Sequence, residues 1–552
     1  MNEQKNLLLA IVVSLIILLI FQYLFPNEKK VTENNTQDII SDDEEFQLPS
    51  SITRDDAIKK QERIYFSLDS RLKGSIPLKG LRFDDVILKD YNEDIKTASP
   101  LVKILSPNKT KNPYFIELGW TSKGNVDVPQ KNSVWKLISG KELGPGNPVT
   151  LKWSSPDRID FIRTISIDTN YLFTVEQKII NNSNEAHTMT QYGRINRTGT
   201  PETSGFYILH EGPIAVLNER LIEKDYDDLL ENKTSSTISK GGWIGITDKY
   251  WLTALIPNQS KSIEAGFKAT LNNIERYQAQ YTSSPAQINP GETITVSSNV
   301  FVGAKEVNLL DKYSDSLSIE MFDRAVDFGW FYIITKPLFL LLHKFSSIFG
   351  NVGLSILALT VLIRIFLFPL ANKSFKSMSR MKVLTPKMKD IRERFKNDKL
   401  KMQQEIMQLY KTEKVNPLSG CLPILVQIPI FFALYKVLFV TLETRHEPFY
   451  GWVKDLSAQD PTTLFNLFGL LNITPPSFLM IGAWPILMAF TMFLQQKLNP
   501  APPDPLQAKI MTFLPLMFLF LFATFPAGLV VYWTWNNILS IGQQWIIMKK
   551  TK

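Results

Sequence analysis

Asn351–Leu370 reads NVGLSILALTVLIRIFLFPL. As a helix this stretch is about 30 Å long, enough to cross a bilayer. It is mostly apolar, yet about a third of the way in from its C-terminal end it carries Arg364. A guanidinium at mid-span costs about 2.5–3.5 kcal/mol on insertion scales. A chain that keeps one there has a partner, a wet cavity or an escape route for it. Arg364 lies six residues before Leu370, about 9 Å of rise. Its long side chain can therefore snorkel most of the way to the headgroups. Alternatively it stands in a water-filled cavity open to the side where Leu370 emerges. Thr360, one turn earlier, shares its helical face.

Working outward, hydrophobicity is unevenly spread over the 552 residues. Leu7–Phe25 is a 19-residue apolar run, about 28 Å of helix. The run is long for a signal peptide and no small-x-small cleavage motif follows it, so residues 1–26 read as an uncleaved membrane anchor. Residues 27–60 are polar and acidic, a flexible linker. Residues 61–320 carry partly alternating runs such as Ile64–Leu68 and Phe173–Ile180, punctuated by turn signals at Pro107-Asn108, Gly144-Pro145-Gly146 and Gly241-Gly242. Short strands without helical alternation point to a β-sandwich. Residues 321–350 are amphipathic and aromatic, with Lys336-Pro337 midway, and fit a helix lying in the membrane interface. Residues 351–548 hold five candidate spans: Asn351–Leu370, Leu418–Leu442, Leu479–Gln495 (with an expected kink at Trp484-Pro485), Ile510–Phe525 and Leu529–Met548. The apolar piece 463–474 is short and ends at Pro475-Pro476, so it reads as interfacial or re-entrant. The fold class expected is a multi-pass α-helical membrane protein, one N-terminal span plus a five-helix core, with a β-sandwich domain outside the membrane.

Charge sets the orientation. Residues 371–417 hold 13 Lys/Arg against 5 Asp/Glu, a surplus equal to the formal net charge of the whole chain, +8. A basic loop between spans belongs in the cytoplasm. Parity then places both termini, with the basic tail 549–552, in the cytoplasm and residues 27–350 on the far side. Within the loop, apolar residues at three- and four-residue spacing read as two helices joined near Lys396–Lys399, a helical hairpin. Its methionines, Met378, Met381, Met388, Met402 and Met407, either pack the hairpin or offer an adaptable surface to apolar clients. Its basic face suits ribosomal RNA or anionic lipid.

The chemistry this chain lacks is informative. One cysteine and four histidines without ligand spacing give no metal site, and no phosphate loop, dinucleotide fingerprint or nucleophile elbow occurs. No catalytic residues or cofactors are expected. None of the five core spans contains a carboxylate, whereas a proton- or sodium-coupled transporter usually needs one. A secondary transporter of a small anion, with Arg364 as its binding charge, is the alternative; against it, no internal repeat is evident. Gln427, in the second core span, and Tyr532, Trp533 and Asn536, in the last, complete the intramembrane polar set. Each is either a helix–helix hydrogen bond or part of a hydrophilic groove.

Several runs carry a family resemblance: Phe368-Pro369-Leu370, Lys414–Pro423 (KVNPLSGCLP), Gln427–Phe431 (QIPIF), Asp455–Pro461 (DLSAQDP), Lys509–Phe513 (KIMTF) with Pro515, and Phe525–Leu529 (FPAGL). In this order they resemble the Oxa/Alb/YidC family of membrane protein insertases. The N-terminal span and Ser239–Trp243 (SKGGW) resemble its Gram-negative form with a large periplasmic domain. The resemblance implies an inner-membrane insertase and chaperone, working alone or with the Sec translocon on nascent membrane proteins. It implies a hydrophilic groove open to the cytoplasm and lipid, with Arg364, Thr360 and an aromatic pair at Tyr532-Trp533. Many relatives carry two tyrosines at that pair, so Trp533 is a departure. It also implies a mutarotase-like super-sandwich with no catalytic activity.

Overall fold

In the computed structural model the described residues are 52–551, apart from 97, 125, 205–208, 233, 273, 414, 416–421, 472, 474, 477–479 and 499–504. The expected anchor Leu7–Phe25, most of the linker 27–60 and most of Lys414–Pro423 lie outside them.

The strand-rich half is built on alternation. In Ile159–Ile167 every second residue is buried, and this strand is third from one edge of a nine-stranded antiparallel sheet that runs from Arg220–Glu223 at the far edge to Lys136–Ser139 at the near one. A six-stranded antiparallel sheet is organised around His187–Thr198, which pairs with Tyr114–Lys123 on one side and with Ile274–Ser283 and Ala286–Ile288 on the other. The inner faces share one apolar core containing Phe161, Phe173, Trp243, Phe267, Tyr281 and Phe301. A buried cation joins the sheets: Arg163 donates to Leu118 O at 2.7 Å and to Gln177 Oε1 at 2.9 Å. Burial lowers its pKa to about 10. A four-stranded antiparallel sheet, Arg63–Tyr65 through Leu101–Leu105, packs onto the same core. The expected β-sandwich is present.

Eleven α-helices occur among the described residues: α1 Arg54–Lys59, α2 Tyr226–Asn232, α3 Val307–Leu317, α4 Tyr332–Phe349, α5 Val352–Phe366, α6 Phe368–Arg394, α7 Lys399–Thr412, α8 Leu422–Val440, α9 Ala483–Leu498, α10 Pro505–Ala523 and α11 Ala527–Thr551. Helix α4 runs unbroken through Pro337 and leaves Trp330, Ile333, Leu340 and Ile348 of this segment exposed. The stretch around Arg364 becomes α5, which meets α6 at a 68° bend. Pro369, in the first turn of α6, lacks an N–H and its ring crowds the preceding turn, which explains the bend. Pro485 also falls in a first turn, where its missing N–H costs nothing; it opens α9 rather than kinking it. By length and hydropathy no single described helix is long and apolar enough to cross a membrane, but α5 and α6 qualify as a bent pair.

Sandwich and helical core are pinned together by polar contacts. Lys436, near the end of α8, pairs with Asp327 at 2.7 Å, and the second Asp327 oxygen accepts Gly329 N–H at 2.9 Å. Arg445 donates to Asn92 O at 2.7 Å and Glu93 O at 3.1 Å. Glu443, just past α8, accepts the Val307 N–H at the start of α3 at 3.1 Å. Its other oxygen is buried without a partner, and burial raises its pKa to about 7.

Candidate functional site

Helix α5 starts at Asn351, whose side chain accepts the Leu354 N–H at 2.9 Å, a standard N-cap. It buries Val352, Ser355, Ile356, Leu359 and Thr360 and exposes Val361, Leu362, Ile365 and Phe366. Gly353 is required by close approach, since a Cβ there would lie 2.0 Å from the Phe449 ring. Arg364 falls at the border of the two faces and reaches α11. Its Nε donates to Asn536 Oδ1 at 2.9 Å, and Nη2 donates to the same oxygen at 2.6 Å, to Asn536 O at 3.2 Å and to Ser540 Oγ. All these acceptors are neutral, so the positive charge is hydrogen-bonded but not neutralised.

Gln427 of α8 joins the same cluster, its Nε2 donating to Tyr532 OH at 2.8 Å and to Asn536 Oδ1 at 3.1 Å. Tyr532, Asn536 and Ser540 recur every fourth residue, so α11 presents one polar stripe to α5 and α8. Of the residues expected from sequence, Arg364, Gln427, Tyr532 and Asn536 are thus brought together. Thr360 lies one turn deeper, nearly fully buried, with its hydroxyl closed onto Ile356 O at 2.6 Å. Trp533 faces away from the stripe, among Phe431, Phe518 and Phe522. Its indole Nε1 is buried without a partner, and nothing in the structure explains the departure from tyrosine.

Arg364 also lines a cleft of about 820 Å³ bounded by α5, α6 and α11. Val361, Phe368, Ile538 and Ile546 make its walls apolar, and Asn372, Lys376 and Gln543 add polar groups. Phe368, Asn372 and Lys376 are spaced four apart on α6, a second stripe legible in retrospect but missed, as were Ser540 and Gln543. The volume falls within the range of ligand sites, about 300–1,000 Å³.

On the sandwich side the core is capped by the loop carrying Asp455–Pro461. Ala527 N–H donates to Ala458 O at 2.7 Å and Gly528 N–H to Leu456 O at 2.9 Å. Asp460 is buried and holds the loop: Oδ1 accepts from Trp452 Nε1 at 3.1 Å, Thr462 N at 3.0 Å and Thr462 Oγ1 at 2.7 Å, and Oδ2 accepts from Trp484 N at 2.9 Å. Tyr250 of the sandwich donates to Ser457 of this loop at 3.5 Å.

Helices α6 and α7 form the expected hairpin, and their turn falls at 395–398. Met388 is buried with Leu384, Tyr410 and Val415, and Met381 packs on this cluster with Ile406 and Leu409. Met378 packs with Ala371, Phe375 and Ile547 of α11. Met402 is half-buried and Met407 is exposed.

Fold and site together define a helical core, with a half-buried arginine beside a cleft, joined to a β-rich domain. The comparisons agree with that class. Residues 344–552 match the family described as 60Kd inner membrane protein, and residues 68–341 match the YidC periplasmic domain. The membrane protein insertases YidC of Rickettsia typhi and of Rickettsia prowazekii are each 51% identical, over 99% of this chain and 99% of theirs. A crystal structure of an active YidC insertase with its first transmembrane domain resolved matches 86% of this chain and 90% of that one, at 16% identity and a TM-score of 0.36. The chain belongs to the YidC family of membrane protein insertases, inner-membrane proteins with a periplasmic domain. The family is one of insertases, not of enzymes.

Proposed function

We propose that the chain inserts and helps fold transmembrane segments by admitting a client's polar tail to the cleft beside Arg364. The arginine whose hydrogen-bond acceptors are all neutral carries this reading. It offers an uncompensated positive charge to an acidic tail, in a site open at the hairpin end and capped at the sandwich end. The client's apolar body leaves sideways along apolar helices such as α8 and α10, driven by removal of its own apolar surface from water. No bond is made or broken, so no nucleotide or cofactor is required.

In this reading α5 with the start of α6, and α8 to α11, span the inner membrane together with the N-terminal anchor. Both termini and the hairpin are cytoplasmic and residues 27–350 periplasmic, as the basic loop 371–417 demands. Partners are nascent membrane proteins, the Sec translocon for larger clients, and the ribosome or anionic lipid at the hairpin's basic face. Gln427, Tyr532 and Asn536 orient Arg364. Thr360 and Trp533 support the helix packing around it, and Met407, with Met402 beside it, is the hairpin's contact with clients.

The test is a photo-crosslinking amino acid at Ile538 or Gln543 in the cleft, with Leu271 on the sandwich surface as control, during synthesis of a single-span client. Adducts at the cleft positions and none at Leu271 are expected. Adducts absent from the cleft would refute the route.

A further inference from the structure

The loop between α8 and α9 contains a segment that neither the site nor the cap explains. From Pro461 to Gln496 there is no charged residue, in a chain in which 21% of residues are charged. Within it a short 3₁₀ segment, Leu464–Gly469, turns the chain back on itself. Leu464, Phe465, Leu467, Phe468, Leu470, Leu471 and Ile473 all expose their side chains, Leu470 by 84%. The backbone is closed while the side chains are not: Leu464 N–H donates to Ile481 O at 2.9 Å, Phe468 N–H to Thr463 O at 2.9 Å and Leu471 N–H to Asn466 O at 3.0 Å. Leu467 and Phe468 have φ of 52° and 57°. Bulky side chains adopt that left-handed region only at a cost, so the turn is held in a strained form that splays apolar groups outward.

We propose that residues 464–471, with Ile473, form an apolar wedge that enters the periplasmic leaflet of the bilayer and holds the cap of the core at a set depth. The proposal rests on the membrane-spanning reading above. Three observations choose lipid over a protein partner. A protein-binding patch is typically framed by a polar rim with charged groups, and this segment has no charged residue. The segment begins four residues after Asp460, whose carboxylate binds the indole of Trp452, and Trp452 and Tyr450 are themselves exposed. Such aromatics mark the membrane–water interface, and the wedge extends from them. Finally, through the Leu464–Ile481 hydrogen bond it abuts the start of α9, whose Leu487, Phe490, Phe493 and Leu494 are exposed and apolar, so the wedge continues that helix's apolar surface.

The experiment uses the full chain with Cys421→Ser and one new cysteine carrying an environment-sensitive fluorophore. The positions are Leu470→Cys in the wedge, Phe490→Cys on α9 and Leu271→Cys on the sandwich. The protein is reconstituted in phosphatidylcholine vesicles containing acyl-chain spin-labelled lipid, or with iodide on both sides of the bilayer. At least twofold quenching by the spin label at positions 470 and 490, with iodide quenching confined to 271, is the expected result. Spin-label quenching at 490 with iodide quenching at 470 would overturn the wedge and leave the spanning core intact. Iodide quenching at both would refute the spanning reading itself. A fluorophore at 470 reached by neither quencher would show that protein covers the segment and would also overturn the wedge.

Discussion

Replacing Arg364 by glutamine should separate clients by the charge of their tails. Glutamine keeps an amide donor for Asn536 Oδ1 but removes the charge and the fork that reaches Asn536 and Ser540. A client carboxylate about 6–8 Å from the guanidinium gains about 2–3 kcal/mol at an effective dielectric near 20, and under 1 kcal/mol in bulk water. A half-wet cleft lies between these limits, so about 1–2 kcal/mol is lost, roughly a 5- to 30-fold drop in insertion rate. A tail bearing asparagines in place of aspartates loses only what the looser packing of α5 on α11 costs, within about threefold. Arg364→Lys keeps the charge and should recover most insertion of the acidic client. The assay is pulse-labelling with protease accessibility of the tail, in cells whose only insertase is the variant. Equal losses for acidic and neutral tails, with no rescue by lysine, would refute the reasoning and make Arg364 a structural tie between α5 and α11.

Three further outcomes follow from the contacts. Burial makes the Glu443 carboxyl a weaker acid in the folded chain, near 7 against an ordinary 4.5. Its contribution is therefore fully present below about pH 4.5 and is lost as pH rises to about 7, costing up to about 3 kcal/mol. Glu443→Gln should flatten this slope in thermal unfolding between pH 5 and 8; a wild-type-to-variant difference constant with pH would contradict it. Asp460→Ala removes four accepted hydrogen bonds from the cap and should cost about 2–4 kcal/mol at about 1 kcal/mol each, read as a lower thermal midpoint in detergent. Met388→Glu buries a charge in the hairpin cluster and should expose 384–415 to proteolysis. Met407→Glu should leave the hairpin intact while reducing client crosslinks; proteolysis of both variants alike would contradict that division.

The sequence disclosed the charged anomaly and the helices around it because mid-span polar residues are few and costly. Arg364, Gln427, Tyr532 and Asn536 converge as a polar set should. What stayed hidden depended on side-chain direction. Thr360 shares a face with Arg364 by spacing, yet its hydroxyl closes on its own helix, the common fate of a helical threonine. Trp533 neighbours Tyr532 in sequence, but successive residues of a helix point about 100° apart, so it joins the aromatic packing. Ser540 and Gln543 escaped because a single serine or glutamine in a helix reads equally well as an ordinary helix–helix contact. The sandwich showed in strand alternation such as Phe173–Ile180, whereas its pairing order depends on long-range contacts that no local pattern encodes. Pro369 was visible as a motif, but whether a proline bends a span or opens a helix depends on where the helix starts, and Pro485 took the second course.

The most direct test of the central claim is reconstitution of the purified full chain in liposomes without nucleotide or Sec components. A short single-span client with an acidic tail is added, and translocation is scored by protease protection of that tail. The account predicts protection well above that of empty liposomes, lost in Arg364→Gln and retained in Arg364→Lys. Protection no greater than that of empty liposomes, with the protein shown to be folded, would contradict autonomous insertion through this cleft.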